Sequence, residues 1–364
     1  MHYTARFTIY IESWFMQTTP PQHIAFFRLS ALGDVVLAIP MIRAIQAAWP
    51  NCKITWITSS AVFPLLEGLP GVEFLVIPKP RKIKDYLSLR TLFKQYDFDV
   101  LIAAQASFRT NLIYPHINAK RKIGFDNGRA KDLHSWFVKE QIPPRDEHLA
   151  QGFMGFARYL GLDVPNKADY DFYLYTSDET QAWAKAQRKK PKMLAINAAA
   201  SKAERTWKAE HYARVIDQAI ERWDCQVVLT GGPAQNELDL ASEVESLCQH
   251  SVDNLVGKTK HKQIVALLGE ADVLIAPDTG PVHIAVAMGT PVIGLYAVAR
   301  SGLSGPFQEP SYTIDKYPQA VEKYLGKPFA EAKWHERVHH ADAMDLITEA
   351  EVIEQISNTL SQIA

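Results

Sequence analysis

The residues best placed for chemistry lie where an apolar run, Val273-Leu274-Ile275-Ala276, gives way to Pro277-Asp278-Thr279-Gly280. Pro281 then opens a helical pattern with His283 in its first turn. Partial positive charge and unpaired N–H groups collect at a helix N-terminus, which suits it to hold a diphosphate. Proline is at home in that turn because its missing N–H would have no intrahelical partner. A second such loop is Arg28-Leu29-Ser30-Ala31-Leu32-Gly33-Asp34. Gly33 permits a tight turn or a close approach of backbone to ligand. Asp34 stands at the start of an apolar helix, as an N-cap, as a general base at the mouth of a cleft, or as both. The stretch Ser201-Lys202-Ala203-Glu204-Arg205 concentrates cations that are either surface charges or partners for a phosphate leaving group. After Gly231-Gly232, Glu237 either accepts hydrogen bonds from ribose hydroxyls or decorates a first helical turn.

These loops need a scaffold that presents them together, and the chain supplies a repeating one. Apolar runs at 24–29, 53–58, 72–77 and 99–104 read as buried strands, with helical patterns at 34–48 and 86–96. A second series has strands at 193–197, 225–230, 272–276 and 291–296, with helices at 209–223, 235–249 and 260–268. Such alternation predicts α/β halves built on parallel sheets covered on both faces, with ligands beyond the carboxyl ends of strands. The organisation expected is an N-terminal extension over 1–23, genuine or preceding a start at Met16. Two Rossmann-like domains over 24–180 and 190–335 face a central cleft, and a C-terminal helix over 343–364 packs back on the first. Thr348 and Glu351 have capping-box spacing for that helix.

Bulk properties narrow the class. The 364 residues are 47% hydrophobic and 22% charged, as in a globular protein with proper cores. No window supplies the roughly 18 uninterrupted apolar residues of a membrane span. The N-terminal segment lacks the basic start and long apolar core of a secretory signal. Three widely spaced cysteines, Cys52, Cys225 and Cys248, read as reduced thiols in a cytosolic protein. The net charge is −1, but residues 1–145 carry a net charge of roughly +8 and the remainder roughly −9. Basic clusters at Lys79, Arg81, Lys82 and Lys84, and at Lys120, Arg121, Lys122, Arg129 and Lys131, are a solvated surface or a face for phosphorylated or carboxylated material.

Other motifs do not fit. Asp278-Thr279-Gly280 spells an aspartic-protease triplet, yet it occurs once, where such enzymes need two carboxylates sharing a proton. Asp97-Phe98-Asp99 and Asp169-Tyr170-Asp171 have the form of a metal-binding pair, but the first precedes a strand and the second falls between the domains. There is no GxGxxG, and His339-His340 has no ligand-like spacing.

Taken together, the loops resemble glycosyltransferase family 9, the ADP-heptose:lipopolysaccharide heptosyltransferases. The matching blocks are 28–40 (RLSALGDVVLAIP), 201–207 (SKAERTW), Leu229 to Gly232 with Glu237, and 272–296 (DVLIAPDTGPVHIAVAMGTPVIGLY). The resemblance implies a GT-B fold and inverting transfer of heptose from ADP-heptose to the Kdo/heptose inner core of lipopolysaccharide. Asp34 would be the general base. Lys202, Arg205, Gly232, Glu237, Asp278, Thr279, Gly280 and His283 would hold the donor. Ser30, Gly33, Arg109, Arg121, Lys122 and His148 would lie on the acceptor side. No metal, cofactor or nucleic acid is expected, and the location would be the cytoplasm, at the inner face of the inner membrane. Arg205 stands where many members have lysine, and Ala103-Ala104-Gln105 where many carry an aspartate, which bears on the acceptor. The alternatives are a relative using another nucleotide sugar or acceptor, a sugar-nucleotide epimerase of the same architecture, and a non-catalytic nucleotide-binding protein.

Overall fold

The computed structural model describes residues 19–130 and 132–363. Most of the expected N-terminal extension (residues 1–18) and Lys131 lie outside the described residues. The first sheet comprises β1 (His23–Phe27), β2 (Lys53–Ser59), β3 (Glu73–Ile77), β4 (Phe98–Ala103), β5 (Ala119–Gly124) and β6 (Glu140–Gln141). The second comprises β7 (Met193–Ile196), β8 (Gln226–Leu229), β9 (Asp253–Asn254), β10 (Val273–Pro277), β11 (Val292–Tyr296) and β12 (Ile314–Asp315). The strand orders are 3-2-1-4-5-6 and 12-11-10-7-8-9, which are the same doubly wound order, and every pairing is parallel. Each order reverses beside its first strand, between β1 and β4 and between β7 and β10. A crevice opens at such a point beyond the carboxyl ends.

The longer helices, in chain order, are α1 (Leu32–Leu37), α2 (Ile39–Ala48), α3 (Ile83–Phe93), α4 (Leu149–Tyr159) and α5 (Asp178–Gln187) in the first half. In the second they are α6 (Ala209–Trp223), α7 (Gln235–Leu247), α8 (His261–Glu270), α9 (Gly280–Ala287) and α10 (Glu349–Ile363). The single helix expected over 34–48 is two, broken at Ala38, because Pro40 sits in the first turn of α2 and favours a fresh start. The central strands are buried along their length, as in sheets covered on both faces.

One apolar cluster joins the domains. Val35, Ile42 and Phe153 of the first half pack in it with Val265, Leu268, Val282 and Ile284 of the second. Polar ties reinforce the join: Trp334 Nε1 donates to the Glu147 carbonyl at 3.1 Å, and Lys262 of α8 donates to the carbonyls of Leu65, Glu67 and Tyr175. The C-terminal helix corrects an expectation, because α10 packs on the second domain and not on the first. Its Val352, Ile353, Ile356 and Leu360 share a core with Trp207, Tyr212, Val215 and Ile216. The reason is local: Glu349 accepts from His211 Nδ1 at 2.7 Å and Arg214 Nε at 2.6 Å, and buried Trp207 donates to the Ile347 carbonyl. Its capping box forms, with the Thr348 N–H on Glu351 Oε2 at 3.1 Å and the Glu351 N–H on Thr348 Oγ1 at 3.4 Å.

Candidate active site

The helices α1 and α9 follow β1 and β10, so both begin at the reversal points of their sheets and their N-termini meet across the cleft. The approach is close enough to require glycine on both sides. A Cβ on Gly33 would lie 2.5 Å from His283 Cδ2, and one on Gly280 would lie 3.2 Å from Leu32 Cβ. Around this junction opens a cavity of about 630 Å³, within the range of small-molecule sites. Its first-domain wall includes Ala31, Leu32, Gly33 and Asp34. Its second-domain wall includes Ser201, Arg205, Gly232, Glu237 and the 278–283 loop.

Asp34 is not the N-cap, since that position belongs to Ala31. It is the third helical residue, and its Oδ2 reaches back to accept the Ala31 N–H at 2.9 Å, a capping interaction from inside the helix. The same oxygen pairs with Arg28 Nη2 at 2.5 Å. Arg28 in turn donates to the Ala104 carbonyl and lies 5.4 Å from the centre of the Phe153 ring. The carboxylate is therefore held through Oδ2, and the residue lines the cavity.

Across the cavity, Asp278 does not present a bare carboxylate. Its Oδ2 accepts from Arg205 Nη1 at 2.6 Å and its Oδ1 from Ser304 Oγ at 3.3 Å. Arg205 Nη2 donates to Ser201 Oγ at 2.6 Å. The guanidinium is thus fixed beside α9, whose N-cap residue Thr279 makes no side-chain capping bond, so the helix end stays open to an anion. His283 is only 6% exposed. Burial holds its imidazole below the ordinary histidine range, with Asp278 and Asp34 pulling the other way. Glu237 accepts the Gly232 N–H at 2.6 Å and nestles against the glycine pair, where any Cβ would lie 3.0 Å from its oxygens.

Three buried polar atoms of residues around the cavity have no hydrogen-bond partner among the described residues: Asn197 Oδ1, Arg205 Nε and His283 Nδ1. Each of these atoms is itself shielded, so their residues line the cavity through other atoms. Asn197, Thr259, Lys260, His261, Ser304 and Arg337 also line the cavity, and the sequence reading missed all six. Lys260 and His261 had a usable signal, a cation and an imidazole at the start of an expected helix. The positions of Asn197, Ser304 and Arg337 depend on tertiary folding. Arg28 enters the sequence pattern only as part of a motif.

Several expected site residues lie elsewhere. Lys202 is exposed and outside the cavity lining. Arg121 and Lys122 belong to β5: Arg121 pairs with Glu140 at 2.6 Å, and half-buried Lys122 donates to the Tyr114 carbonyl. His148 caps α4 by accepting the Ala150 N–H, and it bridges to the Gly305 carbonyl at 3.0 Å. Burial pushes its imidazole down to about 3. Arg109 is exposed beyond the rim. Ser30 keeps its place beside the cleft through Gln105 Nε2 at 3.4 Å. Both Asp-x-Asp pairs have structural uses, with Asp99 accepting from Gln22, His23 and Lys120, and Asp171 accepting the Tyr173 N–H.

Comparison with known proteins agrees with this architecture. The family model described as glycosyltransferase family 9 (heptosyltransferase) matches residues 86–335. The lipopolysaccharide core heptosyltransferase OpsX of Haemophilus influenzae is 34% identical, over 93% of this chain and 97% of its own. A glycosyl transferase family 9 structure from Veillonella parvula superposes with a TM-score of 0.78 at 20% identity, covering 95% of this chain and 99% of that one. The E. coli heptosyltransferase WaaC, solved with ADP-2-deoxy-2-fluoro heptose, gives 0.68 at 19% identity over 92% and 99%. With two domains of like strand order closing on one cleft, and sequence similarity spanning nearly the whole chain, this protein belongs to glycosyltransferase family 9, the heptosyltransferase family.

Proposed function

We propose that this chain is an inverting heptosyltransferase that moves heptose from ADP-heptose to the Kdo/heptose inner core of lipopolysaccharide. The observation that carries the mechanism is the opposition of Asp34 on one wall to the Arg205–α9 anion site on the other. The diphosphate lies at the open N-terminus of α9 with the Arg205 guanidinium beside it. Glu237 takes the ribose hydroxyls with the oxygen not used by Gly232. The acceptor hydroxyl attacks the anomeric carbon while the bond from that carbon to the diphosphate oxygen breaks on the opposite face. Asp34 takes the hydroxyl proton, and ADP leaves with the bonding electron pair. Arg205, Lys260 and the helix end balance the charge that grows on the leaving group, which supports turnover without a metal ion. The donor is a substrate, and the mechanism uses no separate cofactor. Since the acceptor is anchored in lipid, the enzyme works at the cytoplasmic face of the membrane that holds it. No helix among the described residues is long and apolar enough to cross that membrane.

The test pairs calorimetry with turnover. The native protein should bind ADP and release it from ADP-heptose only with a Kdo-bearing acceptor, and UDP- or GDP-sugars should give little heat. Asp34→Asn should keep donor affinity while kcat falls by about 10²- to 10⁴-fold. An Asp34→Asn enzyme as fast as the native one removes the base assignment. Stronger heat with a UDP-sugar removes the donor assignment.

A further inference from the structure

The five most exposed large apolar side chains among the described residues all lie in the first domain. They are Ile83 (81%), Trp136 (76%), Leu87 and Phe108 (56% each) and Leu133 (52%). Hydrogen bonds tie together the segments that carry them. Ile83 and Leu87 share a stripe of α3 with Tyr86, whose hydroxyl donates to the Arg109 carbonyl at 3.2 Å. Phe108, next to Arg109, donates its N–H to Asp132 Oδ2 at 2.9 Å, and Asn111 Nδ2 donates to the Asp132 carbonyl at 2.7 Å. Leu133 follows, and the Trp136 N–H donates to its carbonyl at 2.9 Å.

Burial inside this fold does not explain that surface. Asp132 and Leu133 both have positive φ, 56° and 63°, a conformation that a bulky residue such as leucine seldom adopts. The turn thus keeps Leu133 exposed in a conformation that its side chain disfavours. Contiguous apolar exposure on this scale marks an interaction site. Its surroundings identify the partner. Lys79, Arg81, Lys82, Lys84 and Arg109 are all exposed at its edge. The nearby carboxylates are held by backbone, Asp85 by the N–H groups of Arg81 and Lys82, and Asp132 by that of Phe108. Tryptophan, leucine and isoleucine ringed by lysine and arginine are the composition of a face that lies in an anionic lipid interface. The patch also adjoins the reaction side. Gln105, hydrogen-bonded to Ser30 and to the Leu29 N–H, precedes Phe108 by three residues, at most about 11 Å of chain.

We propose that Ile83, Leu87, Phe108, Leu133 and Trp136, with their basic rim, form a docking surface for an anionic lipid bilayer. Docked this way, the first-domain wall of the cleft sits near the headgroups, where a lipid-linked sugar emerges. That purpose rests on the lipid-linked acceptor proposed above, whereas the surface can be measured without it.

The experiment uses the full chain and sedimentation with two kinds of vesicle, phosphatidylcholine alone and phosphatidylcholine with about one third phosphatidylglycerol. Native protein should bind the second kind, not the first, and release as salt is raised. Phe108→Ser with Trp136→Ser should weaken binding about tenfold or more, and Lys82→Glu with Lys84→Glu should abolish the preference for anionic lipid. The Phe108→Ser/Trp136→Ser protein should bind ADP as the native does, which shows that it is folded. It should also match native turnover on a de-acylated, water-soluble acceptor and lose turnover only on acceptor embedded in vesicles. Native protein that ignores anionic vesicles overturns the proposal, as do patch variants that bind them undiminished. A dimer in ultracentrifugation that these substitutions dissolve, without vesicle binding, assigns the face to a second copy of the chain and likewise overturns it. Vesicle binding without transfer to any acceptor would instead count against the proposed function and leave the surface standing.

Discussion

At the scale of single residues, the cleft works through pairs. Asp278 presents Arg205, and Arg28 presents Asp34. Arg205 uses both ends of its planar fork, on Asp278 and on Ser201, a fixed spread that the single nitrogen of a lysine does not reproduce. Arg205→Lys should therefore keep charge but lose orientation, raising the donor KM several-fold with a modest fall in kcat. Arg205→Gln should reduce kcat/KM by about 10²-fold or more, the scale for losing a group that stabilises transition-state charge. Steady-state kinetics with varied ADP-heptose separates the two. Asp34, Glu237 and the 278–283 loop could be read from sequence because each sits in a short motif after a strand. Arg28 as the partner of Asp34 and Asn197 as an unsatisfied acceptor could not, since both roles arise from contacts made only in the folded chain.

At the scale of elements, hydrophobic periodicity located the central strands to within a residue or two, because they are buried on both faces and read as unbroken apolar runs. It missed β5, whose sequence AKRKIG carries three cations toward the side of the sheet. Of those cations, Arg121 and Lys122 are expected on the acceptor side, and the structure spends them on Glu140 and Tyr114. The direction of α10 was also beyond the sequence, since an apolar stripe does not say which neighbour it faces. Glu349 ties that helix to α6. The His211 hydrogen bond, with Arg214 adding to it, pulls its carboxyl down to about 2 from an ordinary 4.5. A carboxyl lowered on folding contributes stability above its unfolded value, and that contribution is lost as pH falls through the folded one. Denaturation midpoints should thus drop more steeply between pH 4.5 and 2 for the native protein than for Glu349→Gln. Equal slopes would show that the tie contributes nothing.

For the whole molecule, the two halves are joined both by a shared apolar cluster and by α8, which is fastened to the first domain. Lys262 places three N–H donors on three carbonyls, at 3.0 Å to Leu65, 2.5 Å to Glu67 and 2.7 Å to Tyr175. Burial pushes this ammonium down to about 8, with Glu67 opposing, so it remains mostly charged at neutral pH. Lys262→Met keeps the apolar stem and removes every donor. Scanning calorimetry should show the native protein melting in one transition and this variant in two, or in one at lower temperature. No change would place the coupling in the apolar cluster alone. The doubly wound class of both halves was legible in sequence from strand–helix alternation. The polar ties that lock the halves were not, because Lys262 and Leu65 are 197 residues apart.

The meeting of two helix ends at one point carries a consequence for how substrates are sorted. Each end offers positive potential, and each has an acidic residue already paired with an arginine, Asp34 with Arg28 and Asp278 with Arg205. The ends differ in that Asp34 also takes the Ala31 N–H ahead of α1, which leaves one donor fewer there for an entering phosphate. Polarity of entry is thus biased by the helix that does not bind phosphate, before any sugar is recognised.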